Sequence, residues 1–153
     1  MQEYKNITDL IVELSKDPFN PWLSLRIANE YHRLGQTASA VSFYLRTAEY
    51  GYYTHGEHVY ASLLKASQCF ENQKGREHTV RNLIEKAIAY SPKRPEAWFL
   101  LSRFYERSQK WQESYTAAEV GIQNLPSIFF PLPIDVEYAG DFVLPFQKGV
   151  AAW

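Results

Sequence analysis

The chain is poor in the residues that build reactive sites. It has one cysteine, Cys69, and four scattered aspartates, Asp9, Asp17, Asp135 and Asp141. A lone thiol excludes an intramolecular disulfide framework and a cysteine-built zinc site, and the expected compartment is the reducing cytoplasm. Metal-assisted and acid–base chemistry gather carboxylates, which this chain does not. An excess of charge of one sign is also missing: 16 Lys+Arg face 17 Asp+Glu, a net charge of -1. Without a basic excess, nucleic acid is not expected as a partner. No apolar run approaches the roughly 18 residues of a membrane span, so no membrane partner is expected either. The opening MQEYKNITDL does not read as a secretory leader, which makes Asn6-Ile7-Thr8 a glycosylation sequon by accident.

What the chain does have is apolar and aromatic material. Hydrophobic residues make up 46% of 153 residues and aromatics 16%, with charged residues at 22%. This is enough for one folded domain or a short repeat array. Self-similarity is visible. Asp17-Pro18, Ser91-Pro92 and Leu125-Pro126 each close an amphipathic stretch; Pro92 and Pro126 lie 34 residues apart, and Pro18 and Pro92 lie 74 apart, which is 34 plus 40. The missing middle stop falls at Gly51-Tyr52, where glycine can end a helix. Three units result, 18–51, 52–91 and 92–126, the second about six residues longer. Each splits into two helices at helical spacing. Leu25, Ala28 and Tyr31 are followed by Ala40, Tyr44 and Ala48; Leu63, Ala66 and Phe70 by Val80, Ile84, Ala87 and Ile88; Trp98, Leu101 and Tyr105 by Tyr115, Ala118 and Ile122. Short side chains at Ala28, Ala40, Ala66, Ser102 and Ser114 allow two helices of a hairpin to approach to about 8–10 Å. Ahead of the units, Ile7, Leu10, Ile11 and Leu14 form one stripe within residues 3–16. They predict an N-terminal capping helix inside 1–17.

These residues resemble the tetratricopeptide repeat. The third unit carries the pattern best, with Trp98, Leu101, Ser102, Tyr105, Ser114, Ala118, Gly121 and Pro126; the first carries Ala28, Tyr31, Gly35, Ala40 and Tyr44, and the second Ala66, Gly75, Ala87 and Pro92. The resemblance implies an all-α solenoid of helical hairpins winding into a right-handed superhelix. A narrower resemblance spans most of the chain: the run from DPFNPWLSLRIANEY, through GEHVYASLLKASQCF, to SPKRPEAWFLLSRFY is similar to the tetratricopeptide region associated with bacterial and phage family-2 glycosyltransferases. The chain lacks the catalytic domain and the Asp-x-Asp motif of such enzymes; Asp135-Val136-Glu137 is its nearest run. The implied role is a non-catalytic scaffold or accessory module binding a protein or peptide. The alternative is an excised part of a glycan-modifying enzyme whose groove holds acceptor glycan or protein, with Trp22, Tyr60 and Phe99 as rings to stack on sugars.

Local constellations add no chemistry. His55-Gly56-Glu57-His58 offers two imidazoles, fewer ligands than a zinc site needs. Cys69 stands where the repeat wants tyrosine and reads as a small buried hydrophobe. No glycine-rich phosphate loop or nucleophile elbow occurs. Neither a cofactor nor a metal is expected. The functional surface is then a concave groove lined by the first helix of each unit. Repeat phasing aims Trp22, Leu25, Asn29, His32 and Arg33 of unit one into it, Tyr60, Leu63, Ser67, Phe70 and Glu71 of unit two, and Glu96, Phe99, Arg103, Glu106 and Arg107 of unit three. Aromatic anchors mixed with arginine are the composition of interface hot spots. Arg103 and Arg107, one turn apart, suit an acidic side chain of a ligand, but Glu106 beside them is expected to neutralise them internally. In the carboxylate clamp of some tetratricopeptide domains, Asn29 would match one position, but Leu25 replaces the lysine of another.

Residues 127–153 break the pattern. Pro126, Pro131, Pro133 and Pro145 forbid a continuous helix there, while Phe129, Phe130, Leu132, Ile134, Phe142, Val143 and Leu144 are too apolar to leave in water. An extended segment over the last hairpin is expected, then a short helix from about Pro145. Self-association through this end is a further expectation.

Overall fold

The computed structural model describes residues 6–125 and 129–153. Among these residues there are eight α-helices and no strand: α1 (Ile7–Lys16), α2 (Pro21–Arg33), α3 (Thr37–Tyr50), α4 (Gly56–Phe70), α5 (Glu77–Tyr90), α6 (Pro95–Arg107), α7 (Trp111–Gln123) and α8 (Val143–Ala151). Pro126, expected as the last repeat stop, lies outside the described residues, as do residues 3–5 of the expected first helix.

Local chemistry explains the ends. Asn6, the first residue of the Asn6-Ile7-Thr8 run, is the N-cap of α1, and its side-chain oxygen accepts the Asp9 amide at 3.0 Å. Asn20 does the same for the Leu23 amide at 3.0 Å, and Pro21 follows at the first helical position, where a missing N–H costs nothing. The α2–α3 and α6–α7 turns close alike. Gln36 N–H reaches back to Tyr31 O at 2.9 Å over Gly35 (φ 77°), and Lys110 N–H to Tyr105 O at 2.8 Å over Gln109 (φ 59°). This is the six-to-one closure that needs a left-handed residue. Gly35 takes that conformation freely, and Gln109 holds it against its own Cβ.

Helices α2 and α3, α4 and α5, and α6 and α7 pack as hairpins, and each hairpin packs on the next through α3 with α4 and α5 with α6. Ala28, Ala40, Ala66 and Ala118 are wholly buried at the crossings. In the third hairpin the small pair is polar and self-satisfied: Ser102 Oγ donates to Ser114 O at 2.7 Å, and Ser114 Oγ returns to Ser102 O at 2.9 Å. Most of the core is one continuous cluster from Leu25 to Leu144; a second, of Leu10, Leu14, Leu23 and Ile27, seats α1 on the first hairpin. At the other end α8 packs on α7 and α6, with Leu144 wholly buried. No helix among the described residues is long and apolar enough to cross a membrane.

Candidate functional site

Helix α4 lies in the middle of the stack, and ten of its fifteen residues are buried. Tyr60 on α4 and Glu71, the C-cap that follows it, link this element to the next first helix, α6. Tyr60 Oη accepts the Ala97 amide at 2.7 Å, which caps the N-terminus of α6. Glu71 binds Arg103 at 3.4 Å and Arg107 at 3.0 Å. The arginines are therefore neutralised by the chain itself, but through Glu71 of the neighbouring hairpin and not through Glu106, which accepts from Gln147 instead.

A second acid comes from the tail. Residues 129–142 cross α4 and α6 without regular structure. Gln68 Nε2 donates to Val136 O at 2.9 Å, so the segment reaches back beyond the last hairpin, over which it was expected to lie. Val136 is 3% exposed. Glu137 pairs with Arg103 at 2.9 Å, and the Tyr138 ring packs edge-on to Phe99 with centroids 5.9 Å apart. Further up the tail, Arg94 Nη1 donates to Phe130 O at 3.1 Å, and its guanidinium lies over the rings of Phe129 (5.0 Å) and Tyr60 (5.4 Å). The same guanidinium grips Glu96 through two bonds, 2.8 and 3.1 Å, with both side chains nearly out of solvent. Between this clamp and the tail is a cavity of about 310 Å³, lined in part by Pro95, Glu96, Leu132, Ile134 and Tyr138.

The residues phased to the groove are thus unequal in access. Leu25, Tyr60, Leu63 and Ser67 are buried, Ser67 Oγ donating to Leu64 O of its own helix. Phe99 and Glu96 are buried beneath or beside the tail. Glu106 accepts a bond from Gln147 of α8. Phe70 is half-buried, with Arg76 over its ring. On α2, Trp22 remains 38% exposed with Arg26 over its ring, Asn29 is exposed, and Arg33 forms a surface pair with Glu30 at 2.8 Å. Two residues that hold the tail, Gln68 and Arg94, were not among the sequence candidates. Their only trace there is a polar residue inside the run ASLLKASQCF and an arginine just before a helix-opening proline.

Among the described residues, no group of three or more His, Cys, Asp or Glu is placed to hold a metal ion. The His55 and His58 rings meet edge-on at 5.4 Å, and His55 Nδ1 lies 2.7 Å from Thr54 Oγ1. Burial pushes the Cys69 thiol up, away from thiolate reactivity. Burial holds His32 below the ordinary imidazole value, helped by Lys65; burial then His55 does the same for His58. Below an unfolded pKa of about 6.5 the denatured chain binds protons that the folded chain resists, so these histidines remove stability as pH falls through that value. The thermal midpoint is expected to drop between pH 7.5 and 5.5, and to drop less in His32→Asn/His58→Asn. An equal drop in both proteins would refute this.

The sequence matches no family model and no curated protein. In three dimensions the chain is similar to solved structures of MamA. One matches with a TM-score of 0.68 at 18% identity, covering 95% of this chain and 74% of that one. A second gives 0.67 at 18% identity, covering 95% and 69%. MamA residues 41-end from Desulfovibrio magneticus RS-1 gives 0.57 at 16% identity, covering 95% and 77%. At such identities the likeness is one of architecture: the chain has the fold of a tetratricopeptide-type helical-hairpin solenoid.

Proposed function

We propose that this chain is a non-catalytic interaction module that holds a protein partner's peptide against the first helices of its hairpins. One observation carries the reading: a fourteen-residue stretch of irregular chain, residues 129–142, already lies across α4 and α6, with two of its backbone carbonyls taken by Gln68 and Arg94. A surface that orders an irregular segment through backbone bonds has the means to order a partner's peptide in the same way. A scaffold role beside a glycosyltransferase is the finer form of this proposal and rests only on the sequence segments quoted above. The glycan alternative is weaker, because two of the three rings it needs, Tyr60 and Phe99, are buried and only Trp22 is exposed. Self-association has its own support: Phe142 and Phe146, at the start of α8, are both large, apolar and exposed.

A peptide array of mixed sequence, followed by titration of the hits, tests the main reading. Binding is expected, and it is expected to fall in Phe99→Ala and Arg103→Ala with helicity unchanged by circular dichroism. No hit of any sequence, or hits indifferent to every substitution on α2, α4 and α6, would overturn it. Light scattering at micromolar concentration decides self-association.

A further inference from the structure

We infer that the site on α4 and α6 recognises a short extended peptide with a branched apolar residue, a carboxylate and an aromatic ring in succession, and that residues 134–138 of the chain's own tail are its resident occupant. The inference rests on the interaction-module reading and names the ligand class. The tail spells the preference. Val136 fills an apolar seat at 3% exposure, Glu137 meets Arg103 at 2.9 Å, and Tyr138 packs on Phe99. The other tail contacts, from Gln68 and Arg94, go to backbone carbonyls and read no side chain. Selectivity therefore lies in the Val-Glu-Tyr triplet, and affinity is shared with the strand itself.

Two features make the resident segment replaceable. Gln68 is buried, yet its Oε1 has no hydrogen-bond partner among the described residues, while its Nε2 is used. An amide offering donor and acceptor side by side can pair with both the C=O and N–H of a strand; the tail takes half of that offer. In addition, Glu137 sits at φ 63°, left-handed for a residue with a Cβ, in a turn closed by its amide on Asp135 Oδ1 at 2.9 Å. The chain pays for its path across the helices in backbone strain that a free peptide need not adopt. A partner strand is therefore the better-fitted ligand, held off because a tethered segment acts at an effective concentration of order millimolar.

The test is fluorescence anisotropy of a labelled peptide, PIDVEYA (residues 133–139), titrated with the full chain. Wild type is expected to bind weakly. Val136→Asp/Tyr138→Ala, which weakens the resident tail, is expected to bind about tenfold tighter or more, because the competent fraction rises. If that variant loses helicity, Glu137→Gln carries the same comparison. Arg103→Glu is expected to abolish binding, and the peptide PIDVKYA to recover it on Arg103→Glu alone. Tail-weakened protein that binds no tighter than wild type, or a charge swap that recovers nothing, would overturn the inference. Should array hits of other chemistry still bind α2, α4 and α6, the interaction-module reading survives that failure; should nothing bind, it falls too.

Discussion

Replacing Arg94 by alanine is expected to destabilise the fold by about 3–5 kcal/mol, a large share of the roughly 5–15 kcal/mol that holds a domain of this size together. The reason is the carboxylate left behind. Glu96 and Arg94 have side-chain exposures of only 10% and 6%, and the fork of Arg94 binds both Glu96 oxygens. Without the guanidinium, Glu96 is a charge in a place that water reaches poorly. The Phe130 carbonyl and the faces of Tyr60 and Phe129 lose their partner at the same time. Arg94→Lys keeps the charge but not the planar fork, so its loss is expected to be intermediate. Arg94→Met/Glu96→Leu removes both charges and is expected to recover most of the stability, since a buried pair contributes little beyond an apolar substitute of similar volume. Urea denaturation followed by circular dichroism measures all three. A loss below about 1 kcal/mol in Arg94→Ala would mean that the pair is not dry in solution.

The hairpins were legible in the sequence for a physical reason. Helices that cross closely need small residues at a fixed phase, and Ala28, Ala40, Ala66, Ser102 and Ser114 mark that phase whatever surrounds them. Gly35 marks a turn in the same way, because its φ of 77° suits few other residues. The course of the tail was not legible. Its decisive contacts join residues far apart, such as Gln68 with Val136, and no periodicity runs through residues 129–142 to show where they lie. Helix α4 hid its own orientation for a different reason. Buried on nearly every side, it has no clean apolar stripe to set against a polar one, so repeat phasing pointed to Ser67 while the neighbouring Gln68 makes the contact. Arg94 was hidden by its chemistry: an arginine before a helix reads as solvated until the tail that covers it is placed.

Leu144→Ala is expected to cost about 2–5 kcal/mol, and to reverse the effect of a second substitution. Leu144 is wholly buried, and α8 is held to α7 where Gly121 leaves room for it. A Cβ on Gly121 would lie 2.7 Å from Leu144 Cδ2 and 3.1 Å from Trp98 Cβ. In the wild-type chain, Gly121→Ala gains about 1 kcal/mol of helix propensity but pushes against a packed leucine and the next-nearest backbone-proximal carbon, where overpacking costs about 1–3 kcal/mol. The clash wins, and the variant is expected to be less stable. With Leu144 already shortened, the worst contact is gone, so Gly121→Ala should cost less or become stabilising. Denaturation of the two single variants and the double variant closes the cycle. A coupling of about zero between the sites would mean that α8 does not rest in the Gly121 notch. A coupling of 1 kcal/mol or more would fix the seat of α8, and with it the end from which the tail is stretched across α6 and α4.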